Sequence, residues 1–315
     1  MIKVSVLIPT YNLAHHLGET IESVLNQRYD NFELIIVDDN SSDNTTNIVK
    51  KYLSDKRVKY IKNDKNLGIQ GNFNKCLLEA SGEYIKFLNH DDTFHPDLLE
   101  EYITVMDTHP NVSVVTALVE DMDNPNEIVF KPIEVGLIKG DDAIREYLVQ
   151  DKCIGEPTSV MFRRSSLWVG LFNSTITWGL DREMWMRQLT VGDLYVIPKI
   201  LSPKRFHDKA TSSYIYENFI HCFEDYFFAV NIRNAQLYSL SQKDTKKIME
   251  RKIKLIIACI PCMIKVKNFK AIKKAFSILR YEGYLIYGLY KIASETFGKS
   301  GGMKRCKSLK AAITA

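Results

Sequence analysis

The sequence predicts an α/β protein with a mostly parallel sheet, helices on both faces and a further run of helices toward the C-terminus. Three observations lead there. Short β-rich runs alternate with helix-period segments through the first half of the chain. The polar residues that stand out, chiefly Asp and Asn, sit at the carboxyl ends of those runs. After Tyr214 nearly every segment carries the helical period.

Taken in order, Val4–Pro9 reads as a buried strand, and Leu17, Ile21, Val24 and Leu25 form the stripe of a helix behind it. Phe32–Val37 is a second strand, and Ser42 or Asp43 can cap a helix running to Tyr52. Val58–Ile61 is a third strand. Ile69–Ala80 follows as a helix with Phe73, Leu77 and Leu78 on one face. Tyr84–Leu88 is a fourth strand, and Pro96 is placed to open a helix reaching Met106. Residues 113–214 are more mixed: Thr158–Phe162 reads as a strand, Asp181–Leu189 as a helix and Pro198–Pro203 as strand-like. Beyond them helices are expected over 218–241, 244–258, 268–281 and 284–297. The division expected is residues 1–215, with halves 1–112 and 113–215, followed by a helical region over 216–315.

Composition sets the class. The 315 residues are 45% hydrophobic and 25% charged, as in ordinary globular proteins, and no repeat or low-complexity segment appears. The net charge of +4 hides an asymmetry: residues 246–310 hold 17 basic and 3 acidic side chains, while the remainder is net acidic. A basic, apolar tail suits an anionic surface such as a membrane leaflet; a solvated helical face is the plainer reading. Six cysteines are scattered along the chain rather than clustered as in a disulfide scaffold. Cys259-Ile-Pro-Cys262 has redox-motif spacing but lies in an apolar stretch with no strand before it, so burial as small hydrophobes is expected. The first apolar run is too short for a signal peptide and stops at Pro9. No window reaches a membrane-spanning length. A cytoplasmic protein, peripheral at the inner membrane face if the tail binds lipid, is the expectation.

Ligands of open α/β sheets bind beyond the carboxyl ends of the strands. Here strand one runs into Pro9-Thr10-Tyr11-Asn12, strand two into Asp38-Asp39-Asn40-Ser41-Ser42-Asp43, and strand four into Asn89-His90-Asp91-Asp92. No glycine-rich phosphate loop accompanies them, which argues against a dinucleotide fold. The set fits a site where one carboxylate reads a base and others hold a divalent ion against a diphosphate.

VSVLIPTYN, ESVLNQRYDNFELIIVDDNSSDNT, NLGIQGNFNKCL and EYIKFLNHDD, in this order and spacing, resemble the inverting family-2 glycosyltransferases of the GT-A fold over residues 2–215. The resemblance implies a sugar moved from a nucleotide-sugar, a uridine diphosphate sugar by preference, to a hydroxyl of a glycan or lipid-linked glycan. It implies no nucleic-acid partner, and a place in bacterial surface-polysaccharide synthesis. Asp39 would accept the hydrogen bond of the donor base, since an ionised carboxylate only accepts. Pro9, Thr10, Tyr11, Asn12 and Asn66 would line the nucleoside pocket. Asp38 and Asp43 also suit turns and helix caps.

Asp91 and Asp92 form the expected metal motif, because adjacent carboxylates repel unless a cation compensates them, and hard oxygens suit Mg²⁺ or Mn²⁺. By resemblance Asp92 is the better ligand, and Asp91 faces the ribose or shares the ion. Relatives often carry Asp where this chain has Asn89. Trp178-Gly-Leu-Asp-Arg-Glu-Met-Trp185 resembles the family's acidic helix start, which makes Asp181 the catalytic base; Leu180 stands where many relatives have Glu. Asp181 as a plain helix cap is the alternative. Glu183 is read as structural or as an acceptor contact, His207 as approaching the diphosphate or the ion, and His15 and His16 as surface residues. Two competing readings remain. A sugar-nucleotide pyrophosphorylase would show a glycine-rich basic loop after strand one. A catalytically inactive nucleotide-sugar-binding protein would not need all of Asp39, Asp91, Asp92 and Asp181.

Overall fold

The computed structural model describes residues 2–129, 133–206 and 211–297. They form two compact units, one ending at His207 and the other beginning at Asp208. The first unit is built from β1 (Val4–Thr10), α1 (Ala14–Leu25), β2 (Phe32–Asp38), α2 (Thr45–Lys50), β3 (Val58–Lys62), α3 (Gly68–Glu79), β4 (Tyr84–Phe87), α4 (Leu98–Thr108), β5 (Val112–Asp121), β6 (Asn124–Ile128), β7 (Gly136–Ile138), α5 (Gly140–Gln150), β8 (Met161–Arg163), α6 (Leu180–Leu189) and β9 (Asp193–Lys204).

One sheet runs in the order β3-β2-β1-β4-β8-β5-β9-β7, with β6 beside β5. Its first four strands are parallel. The second half is mixed: β8 runs antiparallel to both β4 and β5, and β7 antiparallel to β9. The mostly parallel expectation therefore describes the N-terminal half. Short β8 fills the space between β4 and β5, and the chain reaches it from β7 through α5.

Period-two alternation sends β1, β2 and β4 side chains to opposite faces. Val4, Val6, Ile8, Leu34 and Ile36 pack with Leu17, Ile21 and Val24 of α1 and with Leu98, Leu99 and Tyr102 of α4. On the other face Phe87 stacks on Phe73 of α3, ring centroids 4.9 Å apart, and meets Phe172 edge-on. Helices thus cover both faces.

Local differences from the sequence reading have visible causes. Leu78 is 69% exposed, so only Leu77 of the expected pair is buried. The helix after β4 begins at Leu98 rather than Pro96; the Pro96 carbonyl instead accepts from the Arg28 backbone N–H at 3.0 Å. The strand expected at 158–162 starts at Met161, because Thr158 and Ser159 make a turn closed by Glu156. Asp43 precedes α2 and caps it without occupying the cap position: its carboxylate accepts from Thr45 N at 3.1 Å and, on the other oxygen, from Ala14 N of α1 at 2.9 Å.

The second unit is helical: α7 (Thr211–Glu217), α8 (Ile220–Ala235), α9 (Gln242–Lys265), α10 (Phe269–Tyr281) and α11 (Leu285–Phe297). The helix expected to reach 241 stops at Ala235, where Gln236 turns left-handed at φ 49°. Ser241 and Asn268 cap α9 and α10 through their side chains. Ile248, Ile253, Ile256 and Ile260 of α9 form the buried stripe, with Ala275 and Leu279 of α10 also enclosed. No helix among the described residues is long and apolar enough to cross a membrane.

Gly140 at the start of α5 tests the packing between α5 and α6. A Cβ there would lie 2.1 Å from the Leu189 carbonyl and 2.3 Å from that of Gly192. Both are backbone atoms and cannot swing aside. Gly140→Ala should therefore destabilise by about 1–3 kcal/mol, read as a lower urea midpoint with unchanged slope; an unchanged midpoint would show that the two segments move apart freely.

Candidate active site

Three neighbouring parallel strands, β2, β1 and β4, end on the same edge of the sheet, and the polar runs of the sequence leave from there. Hydrogen bonds join the three loops. Asn12, held at φ 50°, donates its N–H to Ser41 Oγ at 2.9 Å and accepts from Ser42 N at 2.9 Å. His90 Nδ1 accepts from Tyr11 N at 3.2 Å and meets Thr10 Oγ1 at 3.0 Å. Pro9 and Thr10 are buried in strand β1, and Tyr11 stands 47% exposed beside them.

Asp39 is 3% exposed, and its carboxylate holds the segment before α3. Oδ1 accepts from Asn63 Nδ2 at 2.9 Å and Leu67 N at 2.7 Å; Oδ2 accepts from Gly68 N at 3.0 Å. Asn66 Oδ1 shares that Gly68 N–H at 3.0 Å. Oδ2 retains a lone pair for a further donor. Asp38 is a turn residue: it accepts from Ser41 N at 2.8 Å and from the Tyr60 hydroxyl at 2.6 Å. Asn63, which the sequence reading passed over, sits directly after β3 and is 8% exposed. Its place after a strand was the available signal.

The loop after β4 is anchored from inside. Asp92 is 1% exposed. Its Oδ2 accepts from Thr158 Oγ1 at 2.5 Å and Asn89 Nδ2 at 3.1 Å, and its Oδ1 from Arg205 N at 3.0 Å. Arg205 also donates Nε to the Asp91 carbonyl at 3.1 Å. Burial, then the charges of Asp91 and Glu156, push the Asp92 carboxyl up to about 7. The resemblance made Asp92 the leading metal ligand; without an ion its Oδ1 accepts one internal hydrogen bond and its Oδ2 two. Asp91 is half-buried and keeps exposed surface. Asn89 acts here as a donor to Asp92.

Asp181 lies in the first turn of α6. The cap position belongs to Gly179 at φ 73°, and Asp181 makes no hydrogen bond or ion pair among the described residues. It lies within electrostatic reach of Glu156. Glu183 is occupied by Arg187, two bonds of 2.8 Å, and Arg187 also donates to the carbonyls of Val169, Gly170 and Leu171. Glu183 therefore fixes the loop preceding α6. That loop is tied to α3 by Asn74, which both donates to and accepts from the Phe172 backbone, at 2.9 and 2.8 Å. His207 lies outside the described residues.

Glu156 and Lys204, both missed in the sequence, lie among these carboxylates. Glu156 is 9% exposed, pairs through Oε2 with Lys204, and leaves buried Oε1 without a hydrogen-bond partner. It lies within electrostatic reach of Asp91 as well as Asp181. Burial opposes the charge on Lys204, but Glu156 and Asp92 outweigh it and keep it protonated. The Gly-Glu-Pro run around Glu156 was the signal: a carboxylate held between two turn residues, where Gly155 comes close to Thr116 and Val160. A half-buried Asp91, an unpartnered Glu156 oxygen and hard oxygen donors throughout suit a hard divalent cation.

The chain matches the Glycosyl transferase family 2 profile over residues 5–171, more than half its length, and belongs to that family. Over 216 residues it is 29% identical to an uncharacterised glycosyltransferase of Rickettsia typhi, covering 67% of this chain and 66% of that one. Over 128 residues it is 41% identical to UDP-Glc:alpha-D-GlcNAc-diphosphoundecaprenol beta-1,3-glucosyltransferase WfgD of Escherichia coli, covering 41% of this chain and 49% of that one. The chain thus spans about two thirds or less of the length of these relatives. Among solved structures it resembles TarS of S. aureus in complex with UDP-GlcNAc, with TM-score 0.69, 20% identity and coverage of 87% and 79%. It also resembles a mannosyltransferase of Pyrobaculum calidifontis in complex with GDP-Man and Mn²⁺, with TM-score 0.59, 16% identity and coverage of 99% and 80%. The fold is GT-A.

Thr158 tests the anchoring of Asp92. Thr158→Val keeps the shape but removes the hydroxyl, and a hydrogen bond to a charged group contributes about 1.5–3 kcal/mol. The valine variant should melt lower by that amount and Thr158→Ser should recover most of it. Equal loss in both variants would assign the effect to packing.

Proposed function

We propose that the protein transfers a sugar from a uridine diphosphate sugar to a hydroxyl of a glycan or lipid-linked glycan, with inversion, in bacterial surface-polysaccharide synthesis. The observation that supports this reading is that Asp91, Glu156 and Asp181 lie within electrostatic reach of one another through Glu156, with Asp39 at the end of β2 on the same edge of the sheet. Asp39 would accept from the donor base through its remaining lone pair, with Thr10, Tyr11, Asn12 and Asn66 around the nucleoside. WfgD, by its name, uses a glucose donor of this nucleotide class and a lipid-linked acceptor.

A Mn²⁺ or Mg²⁺ ion bound by Asp91, with Glu156 near it, would supply charge compensation for the departing diphosphate. Asp92 would hold the loop that presents Asp91. Asp181 would take the acceptor proton as the acceptor oxygen bonds to the anomeric carbon and the bond from that carbon to the diphosphate oxygen breaks. Attack opposite the leaving group inverts the anomeric centre. The inactive-binder reading is disfavoured because Asp181 is free of structural partners among the described residues. A residue kept only as a cap or anchor would have one.

We also propose that the helical unit rests on an anionic membrane surface at the cytoplasmic face. Tyr281, Ile286 and Tyr290 are 80%, 84% and 69% exposed, and Lys270, Lys273 and Lys291 of the same two helices, α10 and α11, are exposed as well. Aromatic and basic side chains together suit the lipid interface. Each cation there contributes about 1 kcal/mol, screened by salt. The basic residues after 297 lie outside the described residues.

Two experiments test these readings. Asp181→Asn should reduce turnover by about 10²–10⁴-fold with uridine diphosphate affinity little changed; near-normal turnover on a true acceptor would remove Asp181 as the base. Donor consumption absent from the wild type with every nucleotide-sugar and acceptor tried would favour the binder instead. In flotation, anionic but not neutral liposomes should carry the wild type at low salt, and Lys270→Glu with Lys273→Glu should weaken this. Indifference to lipid charge would leave these residues as a solvated face.

A further inference from the structure

The helical unit contains a buried group of soft ligands that the transfer reaction does not use. His221 and Cys222 lie in the first turn of α8, and Cys259 lies in the second half of α9. They are 6%, 0% and 2% exposed. His221 Nε2 is 3.8 Å from Cys259 Sγ, and one ligand atom from each of the three residues falls within 4.8 Å of the others. The redox-like spacing of Cys259 and Cys262 is thus incidental. Both lie on one helix, and Cys259 is directed to α8 instead.

We propose that His221, Cys222 and Cys259 bind a thiophilic divalent ion, Zn²⁺, that joins α8 to α9. The chemistry of the donor set carries this. Two thiols and an imidazole are the soft-to-borderline ligands Zn²⁺ takes, in contrast to the carboxylates at the strand ends. Zinc distances of about 2.3 Å to sulfur and 2.0–2.1 Å to nitrogen put neighbouring ligands of a tetrahedron roughly 3.5–3.8 Å apart. The His221–Cys259 separation already has that value, so closing the site needs only a small movement of Cys222. Charge balance favours the interior as well. Two thiolates cancel the ion's two charges, so the buried cluster is neutral and avoids much of the desolvation penalty of an unpaired ion. Loading releases the two thiol protons to solvent, including the one Cys222 donates to the Phe219 carbonyl at 3.2 Å. The Tyr216 ring packs edge-on against His221 at 4.7 Å between centroids and restrains the imidazole. With three protein ligands, a water completes the shell.

The test uses the full chain, produced without a histidine tag in zinc-supplemented medium and desalted without chelator. Elemental analysis should find about one zinc per chain. Cys259→Ser and Cys222→Ser should lose most of it, whereas Asp91→Asn should retain it. Because a serine variant can fail to fold, the wild type is also stripped and reloaded with Co²⁺. Thiolate-to-cobalt charge-transfer absorption should appear, and zinc should then displace it. A chelator should lower the melting temperature of the wild type but not of Cys259→Ser. Zinc content near zero with no cobalt–thiolate absorption would overturn the proposal. So would zinc unaffected by both cysteine variants, or a Cys222–Cys259 disulfide in protein purified under reducing cytosolic conditions.

Discussion

The buried carboxylate of Asp92 is the point on which the site depends. A carboxylate at the end of a central strand is costly to bury unless donors surround it, and here they come from three segments: Asn89 of its own loop, Thr158 of the turn before β8, and Arg205 after β9. Those segments belong to both halves of the sheet. The same interaction that satisfies Asp92 therefore fixes the loop carrying Asp91 against the turn carrying Glu156. Buried Lys86 supports this from beneath, donating to the Thr158 carbonyl while its ammonium faces the Phe94 ring at 4.7 Å. Removing one partner would leave an unsatisfied charge, which explains why so many polar groups occur together in an otherwise apolar interior.

The same logic separates the carboxylates by role. Asp38, Asp43 and Glu183 are each matched to fixed backbone or guanidinium donors and hold loops in place. Asp39 is intermediate, accepting three bonds yet keeping a lone pair. Asp181 has none of these ties among the described residues, although it begins a helix whose interior is locked by the Trp185 ring against Phe162 and Phe172. A rigid helix presenting an uncommitted carboxylate is the arrangement a general base needs.

Much of this could be read from the sequence because parallel strands direct their carboxyl ends to one edge, so polar residues at three strand ends had to gather. The helical period after Tyr214 was equally plain. What escaped was long-range pairing. Nothing local to Asp92 says that Thr158 and Arg205 will donate to it. Glu156 was missed because a single glutamate in a turn carries no periodic signal. The run at 158–162 reads as a strand, but its antiparallel insertion between β4 and β5 does not show, because pairing direction is not written in a local run.

Asp91 is proposed to serve the donor while Asp92 holds the loop. Titration calorimetry of uridine diphosphate with and without Mn²⁺, on the wild type, Asp91→Asn and Asp92→Asn, tests it most directly. The wild type should bind at least about tenfold tighter with the ion, or ~1.4 kcal/mol. Asp91→Asn should lose that gain at an unchanged melting temperature, and Asp92→Asn should melt lower. Identical wild-type curves with ion and with chelator, or an Asp91→Asn variant that keeps the full metal effect, would contradict it.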